Sequence, residues 1–179
     1  MERRLSFACG RALAYGRLVA FVVLIALLSI VIGTSPPASL EFVAAGGAVV
    51  AAVLFVFGIS PLLTQHWLTR SRVILRQGWY FRAAIPLQDI RSIESAEDLA
   101  PHRVPLGIHR PLGRPTLFVT GGRTGLVRIV LARPRRFLQA FGLPASEIVF
   151  DVARPKEFLE AFEERRALFA PVEADRADA

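Results

Sequence analysis

Two long uncharged stretches dominate the first third of the chain. Leu18–Ile32 reads LVAFVVLIALLSIVI, and Gly33, Thr34 and Ser35 extend it to 18 residues without a charge. As a helix it spans about 27 Å, slightly short of a hydrocarbon core of about 30 Å, so Arg17 is expected to snorkel at one end. Phe42–Leu63 adds 22 uncharged residues, roughly 33 Å of helix. Between them, Pro36 and Pro37 break any continuous helix. The pattern predicts a transmembrane hairpin with helices over residues 18–35 and 42–63. Residues 1–17 form a segment before it.

Three other readings of the grease are weaker. Arg3 and Arg4 ahead of an apolar run fit a cleaved leader, but the run starts late and a second span follows at once. Leu5–Cys9 has a faint likeness to a lipoprotein cleavage box, without an apolar run before it. A buried pair of core helices would need a 22-residue uncharged helix, rare in a small soluble protein.

After residue 63 the period changes. Arg72–Gln77 (RVILRQ) and Trp79–Ile85 (WYFRAAI) read as strands around a Gln77-Gly78 turn. Ile85–Ile90 reads as a tight turn into a strand over Arg91–Ser95. Residues 96–115 are loop-rich, with prolines and the pair His102 and His109. Thr116–Thr120 and Leu126–Leu131 flank Gly121–Gly125 and read as a second hairpin, with Val127, Ile129 and Leu131 on one buried face. A short echo follows. Ala132-Arg133-Pro134 leads to Phe137-Leu138 and Phe141, and Ala153-Arg154-Pro155 leads to Phe158-Leu159 and Phe162. Each predicts a helix with proline in its first turn, over 134–141 and from 155 to about 169. From Pro171 the chain is polar and reads as a disordered tail.

Charge gives the hairpin an orientation. The chain has 22 basic and 15 acidic residues, a net +7. Arg3, Arg4, Arg11 and Arg17 precede the first span, and Arg70, Arg72, Arg76 and Arg82 follow the second. The connecting loop holds only Glu41. By the positive-inside rule both ends face the cytoplasm, in the cell's inner membrane. Tyr15 and Trp67 then sit as interfacial anchors. Ala44, Ala48 and Ala52, with Gly47 and Ala51, form a small-residue stripe suited to packing on the hairpin itself or on a second copy.

The stretch from Gln65 to Arg82, with Trp67-Leu68-Thr69 and Arg72-Val73-Ile74-Leu75-Arg76-Gln77-Gly78, resembles the bacterial pleckstrin-homology-like membrane proteins. Ile85-Pro86-Leu87-Gln88-Asp89-Ile90 is similar to a second segment of that family. The resemblance is good over 42–95, loose over 96–150 and weak over 151–165. It implies a transmembrane helix pair followed by a mainly-β, PH-like barrel or sandwich of about seven strands, closed by a C-terminal helix, over residues 64–170. The family has no well-defined activity, so the resemblance implies architecture more than function.

No catalytic constellation stands out. His66, His102 and His109 lack metal-ligand spacing, and Cys9 is the only cysteine. Gly121–Gly125 joins strand to strand, without the helix N-terminus that binds phosphate. No cofactor, metal or nucleic-acid partner is expected. Arg70, Arg72, Arg76 and Arg82 remain as contacts to anionic lipid headgroups at the membrane surface, each worth about 1 kcal/mol there. The same arginines also serve positive-inside topology without any ligand. The expected function is a non-catalytic interaction module at the bilayer, for a protein partner, a second copy or lipid. A small accessory subunit of a transport or secretion complex, or a membrane-bound enzyme, are the alternatives.

Overall fold

The computed structural model describes residues 4–34, 39–138 and 142–168. Two helices are long and apolar enough to cross a membrane, Ala12–Thr34 and Leu40–Leu63. The first, α1 (Ala12–Thr34), starts six residues before the uncharged run, so Arg17 lies inside its second turn. The second begins as α2 (Leu40–Val53), capped by Ser39, whose hydroxyl accepts from Phe42 N–H. It continues through a π-helical turn, Leu54–Ile59, and a 3-10 turn, Ser60–Leu63. Both helices expose apolar side chains around their circumference, Val22, Ile30, Phe42 and Val49 among them.

The hairpin packs on itself near its base rather than along the small-residue stripe. A Cβ on Gly58 would lie 3.4 Å from Leu18 and 3.8 Å from Phe21, so the helices approach closely there. Ala44, Gly47, Ala48, Ala51 and Ala52 are exposed, and a Cβ on Gly47 would meet nothing within 4 Å.

A mostly-β region with two sheets and a C-terminal helix follows. The first sheet has the order β1 (Leu5–Ala8), β2 (Gln65–Leu68), β3 (Arg72–Gln77), β4 (Phe81–Pro86), all antiparallel. No element was expected within residues 1–17, yet β1 pairs with β2 from Leu5↔Leu68 to Ala8↔Gln65. Strands on either side of the hairpin thus share a ladder. The second sheet contains β5 (Ile90–Ser95), β6 (Gly107–His109), β7 (Thr116–Thr120), β8 (Leu126–Arg136) and β9 (Pro144–Asp151), in the order β5-β8-β9-β7-β6.

Two local expectations are corrected by this sheet. The segments around Gly121–Gly125 are not a hairpin, because β9 lies between them. Ile148 faces Leu117 in a parallel pairing on one side and Ile129 in an antiparallel pairing on the other. A buried strand needs partners on both edges, and β9 (Ile148, Val149 and Phe150 all buried) takes the central place. The expected helix at 134–141 is also replaced, over its first residues, by strand. β8 runs through Pro134 to Arg136, and its pairing with β9 shifts register between Val130 and Arg135. Proline is accommodated in a strand at such an irregularity. The end of that expected helix, residues 139–141, lies outside the described residues, as does the tail from Pro171.

The second proline junction does form a helix, α3 (Pro155–Ala167), with Pro155 in its first turn. Phe158 and Phe162 are fully buried between the sheets beside Leu75, Ile85 and Phe150. Phe7 of β1 meets Phe158 edge-on at 4.9 Å. Each such ring contributes about 1.5–3 kcal/mol by leaving water. The proline-rich segment folds over the second sheet, where Ala96 and Val104 close a smaller core on Phe118, Leu126 and Val149.

Candidate functional site

The strands of both sheets present one end to the base of the helices. In the first sheet this is the β3–β4 turn. Gly78 has φ 62, and a Cβ there would crowd Ser60 Oγ and the Tyr80 ring. Only glycine suits that left-handed turn against the helix. Gly78 N–H donates to Thr64 Oγ1 (2.9 Å) and Trp79 N–H to Ser60 Oγ (3.1 Å). Trp79 stays 59% exposed and meets Phe55 of the second helix at 5.0 Å. Arg17 donates to Tyr80 Oη (2.8 Å) and to the Phe57 carbonyl (3.0 Å), tying both helices to the turn.

In the second sheet the same end is closed by Asp151. Its carboxylate is buried and accepts from the backbone N–H groups of Gly10 and Gly121, the latter at 2.6 Å. Burial raises its pKa, opposed by the N–H groups of Gly10, Gly121 and Gly122. The glycines are required because the backbones touch. A Cβ on Gly10 would fall 2.6 Å from Gly122 Cα, and one on Gly121 would collide with the Gly10 carbonyl. Leu13 N–H, a donor in the first turn of α1, is satisfied by the Gly121 carbonyl at 2.9 Å. Gly121–Gly122 therefore binds the chain's own N-terminal segment. Beside it, Cys9 is held as a thiol, its pKa raised to about 11 by burial and then by the Asp151 charge.

His66 belongs to this junction and was unassigned in sequence. It is fully buried, meets Phe150 edge-on at 5.4 Å, and accepts at Nδ1 from Arg76 N–H (3.1 Å). Burial lowers its pKa to about 4, which keeps it neutral. His102 lies exposed in the turn Pro101–Arg103, and His109 is exposed at the end of β6. Among the described residues no three His, Cys, Asp or Glu side chains gather as a metal site.

The outer face of the first sheet carries the charge. Val73, Leu75, Phe81, Ala83 and Ile85 point into the core, so by strand alternation Arg72, Ile74, Arg76 and Arg82 point out. Arg76 and Arg82 are a cross-strand pair. Trp67 of β2 lies on the same face, with the guanidinium carbon of Arg76 4.8 Å and that of Arg4 5.7 Å from its ring centre. Arg4, Trp67, Arg72 and Arg82 line a cavity of about 260 Å³. Residues 42–88 contain no Asp or Glu. Among the described residues Arg4, Arg72, Arg76 and Arg82 have no carboxylate partner. Of the sequence-predicted residues, three arginines and Trp67 thus come together. Arg70 sits in the β2–β3 turn, and Tyr15 is exposed on α1. Trp79 is an exposed aromatic at the helix base that sequence reading passed over. Its place after a Gly turn was the available signal.

No family model, curated protein or solved structure matches the chain.

The second sheet treats arginine differently. Arg128 pairs with Glu94 (3.1 Å) and Asp98 (2.8 Å), and Arg135 with Asp89 (3.5 Å). The Arg128 hydrogen bond holds the Asp98 carboxyl below its ordinary pKa. Those charges are neutralised internally; those of the first sheet are not.

Proposed function

We propose that the chain is an integral membrane protein of the inner membrane, with a helix hairpin that holds a non-catalytic, PH-like interaction domain against the cytoplasmic leaflet. Its binding surface is the outer face of the first sheet, and anionic headgroups are its ligand at the membrane. The observation that carries this reading is the placement of Arg76 and Arg82, one residue pair from the turn that touches the helices, on an acid-free face. Guanidinium pairs suit the phosphates of anionic lipids. The β1–β2 pairing supports the topology, since it needs residues 5–8 and the domain on one side of any membrane crossed.

Tryptophan quenching tests the reading. A Trp79→Phe protein retains Trp67 as its one tryptophan. In nanodiscs, brominated phosphatidylglycerol should quench Trp67 more than brominated phosphatidylcholine, and Arg76→Gln with Arg82→Gln should erase the difference. Equal quenching by both lipids in the parent protein would sink the headgroup assignment. For orientation, a reporter active only in the cytoplasm and fused after Ala179 should work, and silence overturns it. Turnover of a substrate, abolished by a polar-to-Ala change in the domain, would refute the non-catalytic reading.

A second reading, an accessory subunit of a membrane complex, draws on the exposed Ala44, Ala48 and Ala52 stripe, which has no partner among the described residues. Replacing the membrane-facing part of the hairpin by an unrelated one separates the two. An interaction module keeps its function; a subunit loses it.

A further inference from the structure

The first sheet's other end holds a larger cavity, of about 480 Å³, lined by Ser71, Arg72, Pro86, Leu87 and Arg166 among others. It shares Ser71 and Arg72 with the 260 Å³ cavity beside Trp67, so the two are neighbours along one arginine-lined surface groove. Four arginines, Arg4, Arg82, Arg72 and Arg166, line it, with no acidic side chain in either lining. Arg166 donates to the Arg91 carbonyl (3.1 Å) and makes a 4.0 Å exposed pair with Glu163, and its remaining N–H groups can meet another anion. Pro86, Leu87 and Ile90 give the larger cavity an apolar floor.

Position decides between ligands. Arg72 lies five residues along β3 from Gln77, at the base of the helices. At about 3.3 Å per residue that is roughly 17 Å. A headgroup layer is only about 5–8 Å deep. With β3 running along the membrane normal, a lipid that remains in the bilayer meets Arg76 and Arg82 but falls short of Arg72 and Arg166.

We infer that this groove docks an extended acidic segment of a cytoplasmic protein, with carboxylates on Arg72 and Arg166 and apolar side chains on Pro86, Leu87 and Ile90. The inference rests on the interaction-module reading above and assigns its partner class. Bidentate carboxylate–guanidinium pairing supplies the polar recognition, and such pairs weaken with salt when exposed.

The test uses the full chain in nanodiscs of phosphatidylcholine alone, with fluorescent octaglutamate as probe and octalysine as control. Octaglutamate should bind and raise anisotropy; octalysine should not. Arg72→Ala with Arg166→Ala should weaken octaglutamate roughly tenfold, a loss of about 1.4 kcal/mol. Arg133→Gln, on the exposed end of β8 outside the groove, should change it less than about twofold. Arg72→Glu with Arg166→Glu should reverse the preference toward octalysine. Melting temperatures of the variants identify any that fail to fold, and Arg72→Lys, which retains the charge, should bind nearly as the parent does. Octaglutamate binding that ignores both the Ala and the Glu pairs overturns the inference. So does its displacement by phosphatidylglycerol added to the nanodiscs, which would make lipid the occupant. If Trp67 quenching fails while octaglutamate binding follows Arg72 and Arg166, the lipid reading falls and the groove stands.

Discussion

The two ends of the β region are built on opposite principles. At the helix end, polar groups are engaged within the chain: Asp151 accepts from glycine N–H groups, His66 Nδ1 accepts from Arg76 N–H and Arg17 donates to Tyr80, while His66 Nε2, Arg76 Nε and Gln77 Oε1 are buried without a hydrogen-bond partner among the described residues. At the far end, Arg72 and Arg166 stand in an open groove of about 480 Å³. Removing the partner of a buried polar group costs about 1–3 kcal/mol, so the Asp151 and His66 Nδ1 contacts tolerate little change. An exposed guanidinium loses little when it is unpaired, and so remains available. One end fixes the domain to the hairpin, and the other is free to meet a ligand.

The sharpest contrast is expected from Gly121→Ala. Its methyl would overlap the Gly10 carbonyl, backbone against backbone. We expect a loss of about 3 kcal/mol in chemical unfolding, with the N-terminal segment released to protease. A loss below about 1 kcal/mol would mean the junction yields easily, and the contrast between the ends would collapse.

Acid should act next, through His66. Its pKa is about 4 folded, against an ordinary value of 6.5. Between those values the unfolded chain binds more protons, so stability is full above about pH 6.5 and falls as pH drops toward 4. The whole span is worth about 3 kcal/mol. Asp151 has the opposite sign, since its raised pKa favours the folded state as it protonates, and it offsets part of the loss. Melting temperature followed from neutral to acid pH should decline, and His66→Asn, which retains an acceptor for Arg76 N–H, should flatten the decline. An unchanged slope in that variant removes His66 from the account.

Tyr80→Phe deletes the acceptor of Arg17 and should cost about 1.5 kcal/mol by the same unfolding measurement. A neutral result would show that the Phe57 carbonyl alone holds Arg17. The smallest effect belongs to the far end: Arg72→Ala should move stability by less than about 0.5 kcal/mol. A larger loss would make Arg72 a structural residue and weaken its availability as a binding group.

Much of the local structure could be read before any tertiary contact was known. The uncharged runs announced two helices, Gly78 announced the β3–β4 turn, and Pro155 with Phe158 and Phe162 announced α3. These signals are local: composition over one span, one turn residue, one helical period. The Gly121–Gly125 hairpin misled because turn residues say that a chain reverses, not which strand it lies beside. Pro134 misled because the same residue suits a helix start and a strand irregularity. His66 was overlooked because nothing in Gln65-His66-Trp67 distinguishes an inward position from an outward one until neighbouring strands set the register.

By itself, then, the sequence determined the apolar hairpin, the excess of arginine beside it and the β period that follows, all properties of neighbouring residues. Only the tertiary structure decided that β1 joins the sheet across the hairpin, that β9 parts β7 from β8, and that Arg4 meets Arg72 and Arg82 around Trp67. Those outcomes depend on pairing between residues far apart in the chain. Alternating strands fit many orders equally well until burial of β9 and the close backbone approach at Gly10 and Gly121 select one.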